Sequence, residues 1–421
     1  MTDGLTEGQD EPTAPDEDKT TALIVPPAAT PHPTAAESDE PLAGPRVLLL
    51  GSGEFGRELA VALQGLGAQV IAVDAHGDAP HRAADQALVA RLTNAEELTA
   101  LFGRLQPDFP DFVVVLTNAV SVEALDALDP AEVVPSARSV RLIGDREALR
   151  KLAADELGLP TAPFWFVGSR GELEAVAAHA GYPLLVKPVV GGRQRAVVRG
   201  PDEIPRAWQR AAGRDPAGSP PRVLAEAVVD IEFLVTLIAV HSEGPAGPVI
   251  EFCAPIGHRR ADGKNLESWQ PQQLTTAALD AAKSIAARIV KALGGRGVFG
   301  VELMVNGDEV YFADVTAWPG DSAWVTLRSQ RLSAFELQAR TILGLAVDTL
   351  MVSPGAAQVI GSGQIPPSAD ALTAALEVPE SDVRVFGHAR AVALATAPDV
   401  ATARARARDV AHRLNMRDSR G

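Results

Sequence analysis

The strongest constraint on the fold is the run Val47-Leu48-Leu49-Leu50, followed without a break by Gly51-Ser52-Gly53-Glu54-Phe55-Gly56. Four consecutive apolar residues cannot alternate between core and solvent. A strand made from them must be buried on both faces, as in a parallel sheet. Residues 57–65 then read as an amphipathic helix. A second apolar strand, Val70-Ile71-Ala72-Val73-Asp74, a third over 112–116 and a short one over 132–135 continue the alternation to about residue 140. This pattern predicts a doubly wound α/β domain.

Upstream of that domain, residues 1–44 are rich in Pro, Ala, Thr, Asp and Glu. The first 40 positions hold ten acidic residues and one basic residue, Lys19, or about -9 of the chain's net charge of -16. Such a segment cannot bury enough apolar surface to offset its ordering entropy, and it reads as a disordered acidic tail. The remaining charge of about -7 includes no basic stripe, which argues against a nucleic-acid partner. No apolar run approaches the roughly 20 residues that a membrane helix needs, and the acidic N-terminus is unlike a secretory signal. A cytoplasmic protein without a membrane partner is expected. The single cysteine, Cys253, excludes an internal disulfide and a thiolate metal cluster. Lying in the stretch Val249 to Ala254, it reads as a small buried hydrophobe.

Beyond residue 140 the pattern changes. A helix is predicted over 145–158, with Asp145 as its cap and Gly158 as its stop. Strands follow at 164–167, 184–187, 196–199, 223–229 and 233–240, with helices at 171–180 and 202–212 between them. A long helix over 275–293 leads into a strand at 300–305 and a hairpin centred on Asn306-Gly307, a strong type I′ turn signal. From about 345 the chain mixes short strands with a final Arg-rich helix over 398–414.

Three pieces of this framework carry chemistry. The G-x-G-x-x-G spacing of 51–56 could place a phosphate on a helix N-terminus, with Asp74 as a ribose acid. A carboxylate within the loop would repel a pyrophosphate, however, and the favoured reading has Glu54 facing a substrate amine. Lys187 is one of six lysines against 32 arginines, and it ends the apolar strand Leu184-Leu185-Val186. A strongly hydrated ammonium there is explained by a phosphate partner. Glu302 and Asp314 lie on the two strands joined by the Asn-Gly turn. Centring the turn between Asn306 and Gly307 pairs Glu302 near Tyr311. Alternation then puts Glu302 with Met304 on one face, and Asp314 with Phe312 on a common face. Two hard carboxylates with no His or Cys nearby suit Mg2+ bridged to phosphates.

Seven segments resemble the formate-dependent phosphoribosylglycinamide formyltransferase family of the ATP-grasp superfamily. They are 51–58, 71–74, 145–161, 181–189, the distinctive Glu-Ser-Trp-Gln-Pro-Gln-Gln at 267–273, 297–303 and 392–397. The resemblance runs from about residue 45 to the C-terminus. It implies an α/β ATP-grasp homodimer. Its parts would be a doubly wound pre-ATP-grasp domain at 45–142, a central ATP-grasp domain at 143–345 and a small β-rich domain at 346–421. It further implies that ATP and Mg2+ activate formate as formyl phosphate, which the amine of glycinamide ribonucleotide (GAR) attacks. Carried over residue by residue, Glu54, Phe55 and Asp321 match the amine-substrate site. Arg146 and Lys187 match ATP-phosphate ligands, and Glu226 with Ala227, Val228 and Val229 matches the segment that reads adenine. Glu302 and Asp314 match the metal carboxylates, with Asp in place of the family's Glu.

The sequence also departs from the family pattern. The phosphate-covering loop reads Val190 to Arg195, about two residues short and without its lysine. Leu234 stands where the family has a ribose-binding acid, and Asn118 where it has a GAR-binding Glu. Thr316-Ala317-Trp318-Pro319-Gly320 lacks a guanidinium, and the basic run before Val392 is shortened to Phe386 to Ala391. Three functions stay open on this basis. The first is a GAR transformylase with Arg193, Arg195 and His388 in replacement roles. The others are an ATP-grasp ligase for another amine, and a degenerate nucleotide-binding or regulatory dimer.

Overall fold

The computed structural model describes residues 44–75, 83–128, 132–189, 195–212, 221–261, 265–361, 367–386 and 390–415. All lie in the second of the two units into which the chain divides, Ala43–Gly421. The acidic tail, the loop 190–194 with Arg193, and His388 fall outside the described residues.

The first sheet follows the expected plan. Strands β1 (Arg46–Leu50), β2 (Gln69–Asp74), β3 (Gln86–Val89), β4 (Phe112–Val115) and β5 (Glu132–Val134) run parallel in the order β3-β2-β1-β4-β5. Val47, Leu48, Leu49 and Leu50 are all fully buried, each alternate pair facing a different apolar cluster. The strand order reverses between β1 and β4, and that crevice is where open α/β sheets bind ligands. Gly51 turns out of β1 there with φ +87°, and a Cβ on it would meet the Thr117 side chain at 2.8 Å. Only glycine fits, so the helix Glu54–Gln64 begins with Glu54 at the mouth of the crevice.

A four-stranded antiparallel sheet follows, in the order β6-β9-β7-β8: β6 (Phe164–Val167), β7 (Leu184–Pro188), β8 (Ala196–Val198) and β9 (Val223–Ala227). The predicted helix over 145–158 is an α-helix only over Arg146–Lys151, and opens into a π turn over Leu152–Glu156.

The remaining strands form one antiparallel sheet. They are β10 (Phe233–Gly244), β11 (Gly247–Phe252), β12 (Ile256–Ala261), β13 (Asn265–Gln270), β14 (Gly297–Asn306), β15 (Glu309–Thr316), β16 (Gly355–Gly361), β17 (Ser381–Phe386) and β18 (Arg390–Thr396). Their order is β15-β14-β10-β12-β13-β16-β18-β17, with β11 beside β10. Pairing of β13 with β16 joins the C-terminal strands to the central ones without interruption. Strands β11, β12 and β13 are absent from the sequence-based reading because their Gly, Pro and charged residues break any clean alternation. One face of the sheet packs on the helix Thr276–Leu293 through Val235, Leu237, Phe299, Val301 and Leu303. The opposite face carries Ile238, Val240, Ile256, Leu266 and Val298 against Trp324 and Phe335.

The Glu-Ser-Trp-Gln string, distinctive as sequence, is an anchoring device. Glu267 is 1% exposed and pairs with Arg259 at 2.5 Å and with Arg404 at 2.9 Å. Trp269 lies over Gly257, where a Cβ would approach its ring to 2.4 Å, and Arg404 stacks on that ring 3.8 Å from its centroid. Together they hold the last helix, Val400–Asn415, against the sheet. Burial pushes the Glu267 pKa up, but hydrogen bonds from Arg404 and Arg259 outweigh it and leave the carboxyl below its ordinary value. A depressed carboxylate contributes stability above its unfolded value near 4.5, and that contribution is lost as pH falls through the folded value. Acid titration of hydrogen exchange should therefore release the last helix at higher pH in Glu267→Gln than in the wild type. Identical release in the two chains would remove Glu267 as the anchor.

Candidate active site

The site is built on the face of the nine-stranded sheet opposite the long helix. Asn306 pairs with Glu309, so the hairpin turns through Gly307 and Asp308, one residue later than expected, with Gly307 at φ +58°. From there Met304 faces Tyr311 and Leu303 faces Phe312, in place of the expected Glu302–Tyr311 pairing. A bulge between Glu302 and Leu303 takes up one extra residue, Ala313, and sets Glu302 directly across from Asp314. Phe312 is buried in the long-helix core, so Asp314 and Phe312 do not share a face as alternation predicts. Without the bulge Asp314 would point into that core; with it, two carboxylates share one face.

Glu302 keeps solvent access, yet protein atoms crowd round its carboxyl and displace much of its hydration. This desolvation, with the Asp314 charge beside it, pushes its pKa up to about 7 against the pull of Lys187, Arg260 and Arg195. Two like charges held together call for a cation. A hard divalent ion accepts carboxylate oxygens and completes its shell from phosphates and water. Among the described residues no group of three or more His, Cys, Asp or Glu could hold a metal by itself. The pair fits an ion that arrives with a phosphate ligand.

Over these acids sits a cationic wall. A narrow cleft is lined by Arg146, Leu149, Arg150, Lys187, Leu224, Phe312, Ala313 and Asp314. The Arg146 guanidinium donates to the Pro188 carbonyl at 2.7 Å. Lys187 and Arg150 both pair with Glu226, whose side chain is 7% exposed. Arg150 also donates to the Phe312 and Ala313 carbonyls, at 3.3 and 3.1 Å, tying the bulge to the four-stranded sheet. The Glu226 carboxylate, matched by resemblance to adenine reading, is thus engaged by two cations. The Ala227 and Val228 amides donate to Pro163 and Pro183 carbonyls, and the Val228 side chain is exposed.

At the far end of the same face, Arg390 donates to Asp321 at 3.0 Å and lies 3.6 Å from Glu54. The Phe55 ring is a packing element: it stacks on Trp324 with centroids 4.9 Å apart and near-parallel planes, and Trp324 packs on Phe335 and Phe386. Arg384 reaches Asp382 at 2.7 Å and Glu58 at 3.7 Å, and Arg328 pairs with Asp382. The structure therefore forms two groups from the sequence-predicted residues. Arg146, Lys187, Glu226, Glu302 and Asp314 are one; Glu54, Phe55 and Asp321 are the other. Arg150 and Arg390 were missed, since each is one arginine among 32 and only packing singles it out. Leu234 lies on the site face opposite Met304 and His258, while Asn118 is exposed just beyond β4. Trp318 fills space between two apolar clusters and offers no charge.

Comparison with known proteins agrees with this layout. The ATP-grasp domain model matches residues 152–335. A Corynebacterium glutamicum formate-dependent phosphoribosylglycinamide formyltransferase is 45% identical, over 86% of this chain and 92% of that protein. The chain belongs to the formate-dependent phosphoribosylglycinamide formyltransferase family. A Rhodococcus jostii family member is 43% identical, over 88% of this chain and 94% of its own. A solved Mycobacterium tuberculosis structure, described as glycinamide-RNase-transformylase T, is 68% identical with a TM-score of 0.77, covering 88% of this chain and all of that one. An Aspergillus clavatus carboxyaminoimidazole ribonucleotide synthase complexed with ATP shares the fold at 21% identity and a TM-score of 0.75. Among the described residues no helix of this formyltransferase-family chain is long and apolar enough to cross a membrane.

Two outcomes follow. Arg150 is 5% exposed, and removing one partner of a buried ion pair typically costs about 3–5 kcal/mol. Arg150→Ala should lower the unfolding free energy by that order, measured in urea; a change below about 1 kcal/mol would sink its bridging role. Glu302 has a folded pKa raised above its unfolded value of 4.5, so its contribution is full below 4.5 and is lost as pH rises through about 7. The melting temperature of ligand-free Glu302→Gln, relative to the wild type, should accordingly rise between pH 5 and pH 8.

Proposed function

We propose that this chain formylates glycinamide ribonucleotide in purine biosynthesis, using ATP, Mg2+ and formate, as a cytoplasmic homodimer. The observation that carries this is the bulge-enforced Glu302–Asp314 pair facing Arg146 and Lys187, on a scaffold 45% identical to curated transformylases. The domain limits 45–142, 143–345 and 346–421 are part of the same reading.

Glu302 and Asp314 would hold Mg2+, which when bound offsets charge on the ATP phosphates. Arg146 and Lys187 orient the terminal phosphate, and Ala227 to Val229 edge the adenine position. A formate oxygen attacks the γ-phosphorus; the new O–P bond forms as the bridging O–P bond breaks, its electron pair leaving with ADP. The GAR amine then attacks the formyl carbon. Its C–O bond to phosphate breaks, phosphate leaves with the electron pair, and the amine proton passes to the Glu54–Asp321 carboxylates. Arg390 stands across both carboxylates, a cation where the family's longer basic run would lie.

ADP release that requires formate and GAR together tests the reading. Release with a different amine selects another ligase, and no release with bound Mg-ATP selects a degenerate dimer. Lys187→Ala should weaken ATP roughly 10- to 150-fold, the equivalent of about 1.5–3 kcal/mol for a charged hydrogen bond. Thermal shift at fixed Mg-ATP reads the loss, since ligand at 100 times its Kd adds about 2.7 kcal/mol. Unchanged ATP affinity would remove the phosphate assignment.

A further inference from the structure

We propose that Arg260 and His258 of β12, seated on Ser268 of β13, form the pocket that holds the one-carbon acid. This inference rests on the function proposed above and names its acid subsite. The three residues share the site face of the nine-stranded sheet. His258 pairs with Leu234 on one side and Ser268 on the other, while Thr236, two residues along β10, pairs with Glu302. His258 thus lies two ladders from Glu302, roughly 10 Å at ordinary strand spacing. Arg260 is one alternate residue farther along the same face. In the opposite direction, β16 and β18 lead from Ser268 to Arg390. The pocket therefore falls between the phosphate end and the amine end, where an acid that meets first one and then the other must sit.

Its polar groups lack partners. Among the described residues nothing hydrogen-bonds His258 Nε2 or Ser268 Oγ, although both atoms are buried. An unsatisfied buried polar group typically costs about 1–3 kcal/mol, so such a pair on one face marks a place completed by something else. The Arg260 side chain is exposed, its charge acts on both Glu302 and His258, and no ion pair forms on it among the described residues. Burial, with Arg260 adding to it, lowers the His258 pKa to about 4, so the ring is neutral at working pH. A neutral ring can offer an N–H at Nε2 beside a guanidinium that takes both oxygens of a carboxylate. Formate presents two oxygens and no side chain, and matches that donor set. The carboxylate is held for attack and no bond to it is made by the protein.

Two readouts on the full chain test the pocket. In steady-state assays Arg260→Ala and His258→Ala should raise the KM for formate at least 10-fold, leaving the KM for ATP within 2-fold. His258→Gln, which restores an N–H near the same position, should recover most of the loss. Equilibrium dialysis of labelled formate with a non-hydrolysable ATP analogue and Mg2+ should follow the same order. A rise in the KM for ATP with formate unchanged would assign Arg260 to the γ-phosphate and overturn the pocket. Formylation with formate KM unaltered in the exposed-site variant Arg260→Ala overturns it even if His258→Ala fails to fold. Wild-type chain that binds labelled formate, with the loss in Arg260→Ala, but does not formylate GAR would overturn the proposed reaction and keep the pocket. Neither binding nor turnover would overturn both.

Discussion

The site depends on one constraint, the alternation of side chains along an unbroken antiparallel ladder. Strand β10 pairs with β14 over nine consecutive residues, from Phe233–Val305 to His241–Gly297. That ladder fixes which residues face the long helix and which face the cleft. Thr236 and Glu302 fall on the cleft side because Val235, Leu237, Val301 and Leu303 are required by the core. A slip of one residue would exchange the two sets and bury the carboxylates. Registry is therefore secured by apolar packing, and the polar site inherits its geometry from it.

The same ladder explains why one local irregularity matters. Asp314 follows Phe312 by two positions and would join it in the core if β15 were regular. The bulge at Ala313 moves it across the sheet, and Arg150 holds the carbonyls of Phe312 and Ala313 in place. Arg150 is held in turn by Glu226, which also restrains Lys187. A chain of contacts thus runs from the four-stranded sheet through Glu226 and Arg150 to the metal-type acids. Bulges near functional sites commonly re-aim a side chain in this way. Here the re-aimed group brings a second negative charge beside Glu302, and that repulsion, added to desolvation, is what a bound divalent cation would relieve.

The far end of the sheet is organised by packing of a different kind. Phe55, Trp324, Phe335 and Phe386 form a stacked aromatic group that fixes the helix Glu54–Gln64 against β17. Glu54 is delivered to Arg390 and Asp321 as a consequence. The Glu267–Arg404 and Trp269–Arg404 contacts hold the last helix on the outer face of the same sheet. The most distinctive string in the sequence is therefore largely supporting: Glu267 and Trp269 anchor the last helix, and only Ser268 between them faces the site side of the sheet.

Much of the fold was legible in the sequence. Continuous apolar runs marked the parallel strands, the Thr275 cap and Gly294 bounded the long helix, and Lys187 stood out because a charge ending an apolar strand is costly. These are local properties, set by dihedral preference, periodicity and the cost of burying charge, and they act within a few residues. The individual carboxylates of the site were legible for the same reason. Their pairing was not. Whether Glu302 meets Tyr311 or Asp314 turned on a one-residue shift of the turn and a single bulge, and neither has a local signature. Nor could the sequence report that Glu226 holds Lys187 and Arg150, that Phe55 is a packing ring, or that Arg390 lies between Glu54 and Asp321. Those facts depend on residues 39 to 336 positions apart, brought together only when the apolar faces of the sheets find their partners. The sequence by itself determined which residues could do chemistry; the tertiary structure decided which of them face one another, because long-range packing alone sets register.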